Sequence, residues 1–158
     1  MRKLFIAVFM FVSTFTTNIF ADGHAIKMGI ILGFTGPIES LTPAMAASAE
    51  LAFKEASDSG SLLGGKTITP IRADSTCVDS AAATSAAEDL ISQGVAAIMG
   101  ADCSGVTGAI ASNAAVPKGV VMISPSATSP GLTDLDDKGF FFRTAPSDAR
   151  GGQILADI

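Results

Sequence analysis

Two short stretches rich in small polar residues carry most of the chemistry this sequence can offer. The first is Gly100-Ala101-Asp102-Cys103-Ser104-Gly105, and the second runs from Ile123 to Pro130, with Ser126, Ala127, Thr128 and Ser129 between Pro125 and Pro130. In the first, a strand leads into a helix whose opening turn carries the Ser104 hydroxyl and unpaired amide groups, an arrangement suited to a carboxylate. In the second, two prolines stiffen the backbone, so the loop can hold several fixed donors and acceptors. The plain alternatives are that Ser104 only caps its helix and that the second stretch is an ordinary Ser/Pro connection. Two such loops after neighbouring strands favour a binding site.

Other chemistries fit poorly. Nucleophilic hydrolysis needs a base beside a serine or cysteine, yet the only histidine is His24 and no G-x-S-x-G elbow occurs. Asp74, Asp79, Asp89 and Asp102 read as solvated or capping residues. The stretch GSLLGGKT at residues 60–67 satisfies the phosphate-loop pattern G-x-x-x-x-G-K-[ST]. Its surroundings are reversed, because a helix precedes it and a strand follows, so no helix N-terminus faces a phosphate. It is expected to be a helix-to-strand turn. His24 also lies far from both cysteines, which argues against a Cys/His metal site, and no cofactor is indicated.

The elements that would position the two loops follow from periodicity. Ile26, Met28, Ile30 and Leu32 alternate as a first strand. Gly33 to Thr42 forms a loop, Thr42 and Pro43 read as N-cap and first helical residue, and Met45, Ala49, Ala52, Phe53 and Ala56 share one helix face. Lys66 to Asp74 is a second strand, with Pro70 implying an unpaired side or a local bend. Asp79 caps a second helix that runs to Gln93 and stops at Gly94. Val95 to Met99, Ser104 to Ala115 and Val120 to Ile123 supply strand, helix and strand, and Phe140 to Phe142 supplies a further strand. A helix capped by Ser147 or Asp148 begins as the sequence stops, as expected of a chain that continues. The fold class is α/β: an open, mostly parallel sheet with helices on both faces and right-handed crossovers.

The first residues bear on where the protein works. Met1-Arg2-Lys3 is basic, Leu4 to Phe15 is apolar apart from Ser13 and Thr14, and a more polar stretch ends at Ala21. A dozen residues rise about 18 Å as a helix, short of a hydrocarbon core of about 30 Å, so residues 1–21 read as a secretory signal cleaved after Ala21. Removing them takes Arg2 and Lys3 from the 10 basic residues, leaving 8 against 15 acidic residues, a formal charge of −7. Such a surface repels nucleic acid and anionic lipid. Cys77 and Cys103 are the only cysteines of an exported chain, and their even count suggests a bridge, with two free buried thiols as the alternative. A bridge closing that loop contributes about 3 to 4 kcal/mol in the chain-entropy model.

In order and spacing these segments resemble the type I periplasmic binding proteins of branched-chain amino acid ABC importers. The resemblance rests on Gly36-Pro37 after the first strand, Asp74 to Cys77 after the second, Gly100 to Ser104 after the third, Ser124 to Thr133 after the fourth, and Phe142-Arg143-Thr144. It implies two α/β lobes closing over a ligand. Residues 22–145 would form the first part of the N-terminal lobe, and residues 146–158 the start of the crossover and first helix of the second. It also implies that Ser104 binds a ligand α-carboxylate and that Thr128 contacts carboxylate and ammonium. Ser126 and Ala127 would offer backbone groups, and the family's disulfide falls on Cys77 and Cys103. Leu41 stands where the amino acid binders place an aromatic residue against the ligand side chain. The implied function is that of a non-enzymatic periplasmic receptor, monomeric when full length, delivering an amino acid or related small carboxylate or amide to an inner-membrane ABC permease.

Two rivals follow. One is a sensor or regulator of the same fold, separable by testing whether the protein stimulates a permease ATPase. The other is a secreted α/β hydrolase whose base lies beyond Ile158, which a nucleophile elbow or a late histidine downstream would favour.

Overall fold

The computed structural model describes residues 25–158. The signal-peptide reading of residues 1–21 and the position of His24 lie outside the described residues. Within them the order is β1 (Ala25–Leu32), α1 (Thr42–Asp58), β2 (Thr67–Asp74), α2 (Ser80–Ser92), β3 (Ala97–Gly100), α3 (Ser104–Ile110), β4 (Val121–Ser124), β5 (Phe141–Arg143) and α4 (Asp148–Ala156). The five strands form one sheet in the order β2-β1-β3-β4-β5, and every neighbouring pair is parallel. The chain winds outward in both directions from β1 and β3. In such a sheet the loops at the strand C-termini part at this reversal and leave a crevice there.

The alternation of side chains sorts the core into two layers. On one face Ile31, Ile98, Met122 and Phe141 pack against Ala83, Ala87 and Leu90 of α2 and Val106 and Ile110 of α3. Alanines at these helix positions let α2 approach closely, and a Cβ on Gly29 would come within 3.0 Å of Leu90 Cδ1. On the other face Ile30 and Leu32 pack against Ala46, Met45, Ala49 and Phe53 of α1. Helices therefore lie on both faces. Pro70 sits in β2, which is an edge strand, so its missing amide interrupts no central ladder.

Local structure departs from the sequence expectations at two points. Thr42 is the first residue of α1 and not its cap; Leu41 occupies the cap position without a side-chain hydrogen bond. The Thr42 hydroxyl is buried and donates backward, to the Gly33 carbonyl at 3.1 Å and the Glu39 carbonyl at 3.4 Å, tying the helix start to the β1 loop. The expected helix from Ser104 to Ala115 is α-helical only to Ile110, then widens into a π-turn over Ala111–Ala115 and tightens at Val116–Lys118. Pro117 has no amide to give Asn113, and its ring crowds that carbonyl, so regular helix cannot run through it. Segment 60–67 forms a short 3-10 turn at Leu62–Gly64 and enters β2 at Thr67, a helix-to-strand turn as expected. Asp79 caps α2, accepting from the amides of Ala81 and Ala82.

Candidate functional site

The loops leaving β1, β2, β3 and β4 meet at the C-terminal edge of the sheet, and a buried carboxylate ties three of them. Asp102 is 5% exposed. Its Oδ2 accepts from the Gly33 amide at 2.7 Å, and its Oδ1 accepts from the Ser75 hydroxyl at 3.3 Å and the Cys103 amide at 2.9 Å. A carboxylate buried with three donors is satisfied, and each loop that supplies one is fixed relative to the others. The expectation that Asp102 is solvated or caps a helix is thus corrected: it is a buried brace. Beside it Cys77 and Cys103 are bonded, with Cα atoms 5.2 Å apart, linking the β2 loop to the residue before Ser104.

Close approach here depends on two glycines. Gly100 has φ +130°, and a Cβ there would lie 1.9 Å from the Ile31 carbonyl oxygen; a Cβ on Gly36, at φ +95°, would lie 2.5 Å from the Thr76 carbonyl oxygen. No side chain fits at either place. Asp74 at the end of β2 accepts from the Thr35 hydroxyl at 2.6 Å and the Thr76 amide at 2.8 Å. Partial burial pushes its carboxyl up, but the Thr35 hydroxyl and the amides of Thr76, Thr35 and Phe34 outweigh this and hold it below its ordinary range.

The two hydroxyl-bearing stretches lie together, as their joint reading requires. Ser104 Oγ accepts from the amides of Thr128 and Ser129, each at 3.1 Å. Ser126 Oγ donates to the Asp102 carbonyl at 3.0 Å, and Ser124 Oγ, fully buried, donates to the Ala101 carbonyl at 2.5 Å while accepting from the Ala127 amide at 3.0 Å. Four hydroxyl and amide links therefore stitch the β4 loop to the β3 loop. Ser104 is thereby not a helix cap, for Cys103 holds that position and Ser104 opens α3: both its lone pairs are engaged across the loops, and its proton is the capacity left to it.

The residues differ in how they face the crevice. Ser104 and Thr128 are partly buried, Ser126 is exposed, and Ala127 is fully buried. The Ala127 amide is spent on Ser124 and its carbonyl accepts from Arg143 at 3.4 Å, so it braces the loop from below. Leu41 is 61% exposed at the start of α1, and no hydrogen bond ties it to Ser104 or Thr128. Arg143, noticed in the sequence only as part of a motif, clamps the β4 loop by donating to the Ser129 carbonyl at 2.8 Å and Thr133 Oγ1 at 2.6 Å. Asp148 was open to reading as a helix cap; Ser147 fills that role, accepting from the Ala149 amide at 3.3 Å, while Asp148 accepts from the Thr128 hydroxyl at 2.8 Å. Nothing in sequence spacing announces either contact.

A separate depression of about 410 Å³ opens on the α1 side of the sheet, lined by Met45, Ala49, Met99, Ile123, Pro125 and Thr144 among others. It is apolar and contains none of the expected site residues. Among the described residues no cluster of three or more His, Cys, Asp or Glu side chains could hold a metal ion.

A family model described as the receptor family ligand binding region matches residues 44–158. The chain belongs to this family. It is 27% identical over 143 residues to the Leu/Ile/Val-binding protein homolog 3 of Brucella melitensis, covering 90% of this chain and 37% of that protein. Among solved structures, the branched-chain amino acid transporter substrate-binding protein LivJ of Streptococcus pneumoniae, in complex with isoleucine, is 33% identical with a TM-score of 0.69, over 78% of this chain and 34% of that one. An ABC transporter substrate-binding protein of Desulfitobacterium hafniense, complexed with Leu, is 29% identical with a TM-score of 0.71, over 84% and 37%. The chain thus spans little more than a third of the length of the proteins it matches. The type I binding-protein fold read from the motif order is the fold these family members share.

Proposed function

We propose that the chain forms one wall of an extracytoplasmic receptor that captures an amino acid and hands it to an ABC permease. The observation that carries this reading is the hydroxyl cluster after β3 and β4, where Ser104 has a proton to donate beside Thr128 and Ser126 at the open edge of a parallel sheet. Ser104, with α3 behind it, would receive the ligand carboxylate. Thr128 would receive the ammonium group, the Ser126 backbone, unbonded among the described residues, would serve the same zwitterion, and Ala127 would hold the loop in place. Leu41 would meet the ligand side chain. Similarity to binding proteins solved with leucine and isoleucine supports a branched-chain or related ligand. Residues 146–158 would lead into a second lobe that supplies the opposite wall.

On this reading the protein is exported after cleavage at Ala21, carries the Cys77–Cys103 bridge in the periplasm, works as a monomer, and has no catalytic step or cofactor. Thr128→Ala in the full-length protein should weaken leucine binding by about 1 to 3 kcal/mol, the usual cost of a lost buried hydrogen bond to a charged ligand. Isothermal calorimetry measures it. Unchanged affinity would remove Thr128 from the site.

A further inference from the structure

The link between Thr128 and Asp148 does something the other contacts of this loop do not. The Thr128 hydroxyl donates to Asp148 Oδ2 at 2.8 Å, while the Asp148 amide donates to the Thr128 carbonyl at 3.0 Å. Asp148 sits in the first turn of α4, and no lysine or arginine pairs with it among the described residues. The cap of that helix is Ser147, so Asp148 is not needed for it.

Hydrogen-bond direction now decides what each hydroxyl can recognise. A threonine hydroxyl has one proton and two lone pairs, and an ionised carboxylate can only accept. With its proton given to Asp148, Thr128 Oγ1 can meet a further partner only as an acceptor. Its amide is already donated to Ser104 Oγ. Ser104 is in the opposite condition, with both lone pairs filled by amides and a proton to give. The two neighbouring side chains thus present opposite polarity: one suits an anionic oxygen, the other a cationic N–H group. The negative charge behind Thr128 strengthens its attraction for a cation and disfavours an anion in the same place.

We propose that Asp148 is a positioning and specificity-determining residue: by holding the Thr128 proton it commits that hydroxyl to an ammonium group, and so makes the site select an α-amino acid over the same acid without its amine. The inference rests on the amino acid reading of the site and adds a residue, outside the ligand-facing loops, that sets its selectivity. Asp148→Asn keeps the size of the side chain, but its amide can donate to Thr128 Oγ1 and release the threonine proton towards the ligand.

The test uses the full-length protein with two probes, leucine and 4-methylpentanoate, which differ in the amine. Competition calorimetry gives the ratio of their affinities. Asp148→Asn should reduce the preference for leucine about tenfold or more, as expected for one charge-assisted hydrogen bond. Thr128→Val should reduce it similarly, and the double variant should show little further loss, because both changes interrupt one path. A merely structural role for Asp148 would weaken both probes alike and leave the ratio intact; that result, or additive effects of the two substitutions, would overturn the inference while leaving the receptor reading in place. If the unaltered protein binds neither probe, the amino acid reading fails and this inference falls with it.

Discussion

The C-terminal edge of the sheet and the α1-side face of its β4–β5 half are built to different degrees of completion. At the edge, Asp102, Ser104, Ser124 and Arg143 satisfy one another's loops, and among the described residues no buried side-chain nitrogen or oxygen lacks a partner. On the face, Met122 and Phe141 are buried beneath α2 and α3, whereas their neighbours Ile123 and Phe142, pointing the other way, are 41% and 51% exposed. Among the described residues only α1 covers that side, and it lies over β1 and β2. Polar groups at the edge specify their partners one by one, so the edge can be built within this stretch of chain. Apolar burial needs a covering layer, and the described residues bring none to Ile123 and Phe142.

That contrast can be broken from either side. The largest effect is expected from Gly100→Ala, whose new Cβ would meet the Ile31 carbonyl oxygen at 1.9 Å with the backbone at φ +130°. Two strands and the β3 loop would have to shift. Destabilisation of about 4 kcal/mol or more is expected, visible as a lost or broadened denaturant transition. A mild effect would mean that the edge is loosely built.

A smaller effect should come from acid. Asp74 has its carboxyl held below the ordinary range by Thr35 and Thr76, so its folded form binds a proton less readily than its unfolded form. The stabilisation it supplies is therefore present at neutral pH and is lost as the pH falls through the usual carboxylate range towards the folded value. The stability gap between the unaltered chain and Asp74→Asn should narrow from pH 7 to about pH 3 in denaturant titrations. A gap independent of pH would assign the difference to something other than this charge.

The smallest effect belongs to the uncovered face. Ile123→Ser and Phe142→Ser should each change the stability of this chain by no more than about 0.5 kcal/mol, as for surface positions generally. Losses of about 2 kcal/mol or more, of the size expected for a core residue such as Met122, would show that the face is covered after all.

Much of this architecture is legible in the sequence because it rests on period. The alternation of Ile26, Met28, Ile30 and Leu32, the alanine face of α2 and the apolar run at β4 each identify an element and its partner layer. Pro70 correctly points to an edge. What the sequence does not reveal depends on contacts between distant residues. Thr42 has the type and place of a helix cap, yet a carbonyl nine residues earlier takes its proton. Asp102 has the look of a surface acid, and only convergence of Gly33, Ser75 and Cys103 makes it a buried brace. The site loops were readable as hydroxyl-rich turns after adjacent strands, but the direction of each hydroxyl bond, and hence the parts played by Asp148 and Arg143, follows from three-dimensional placement.

The most direct measurement is a crystal structure of the full-length protein grown with leucine. The expected result is a leucine carboxylate within hydrogen-bonding distance of Ser104 Oγ and its ammonium group facing Thr128 Oγ1. Leucine seated instead in the apolar depression beside Met99 and Ile123, with Ser104 and Thr128 empty, would contradict the assignment of the binding edge.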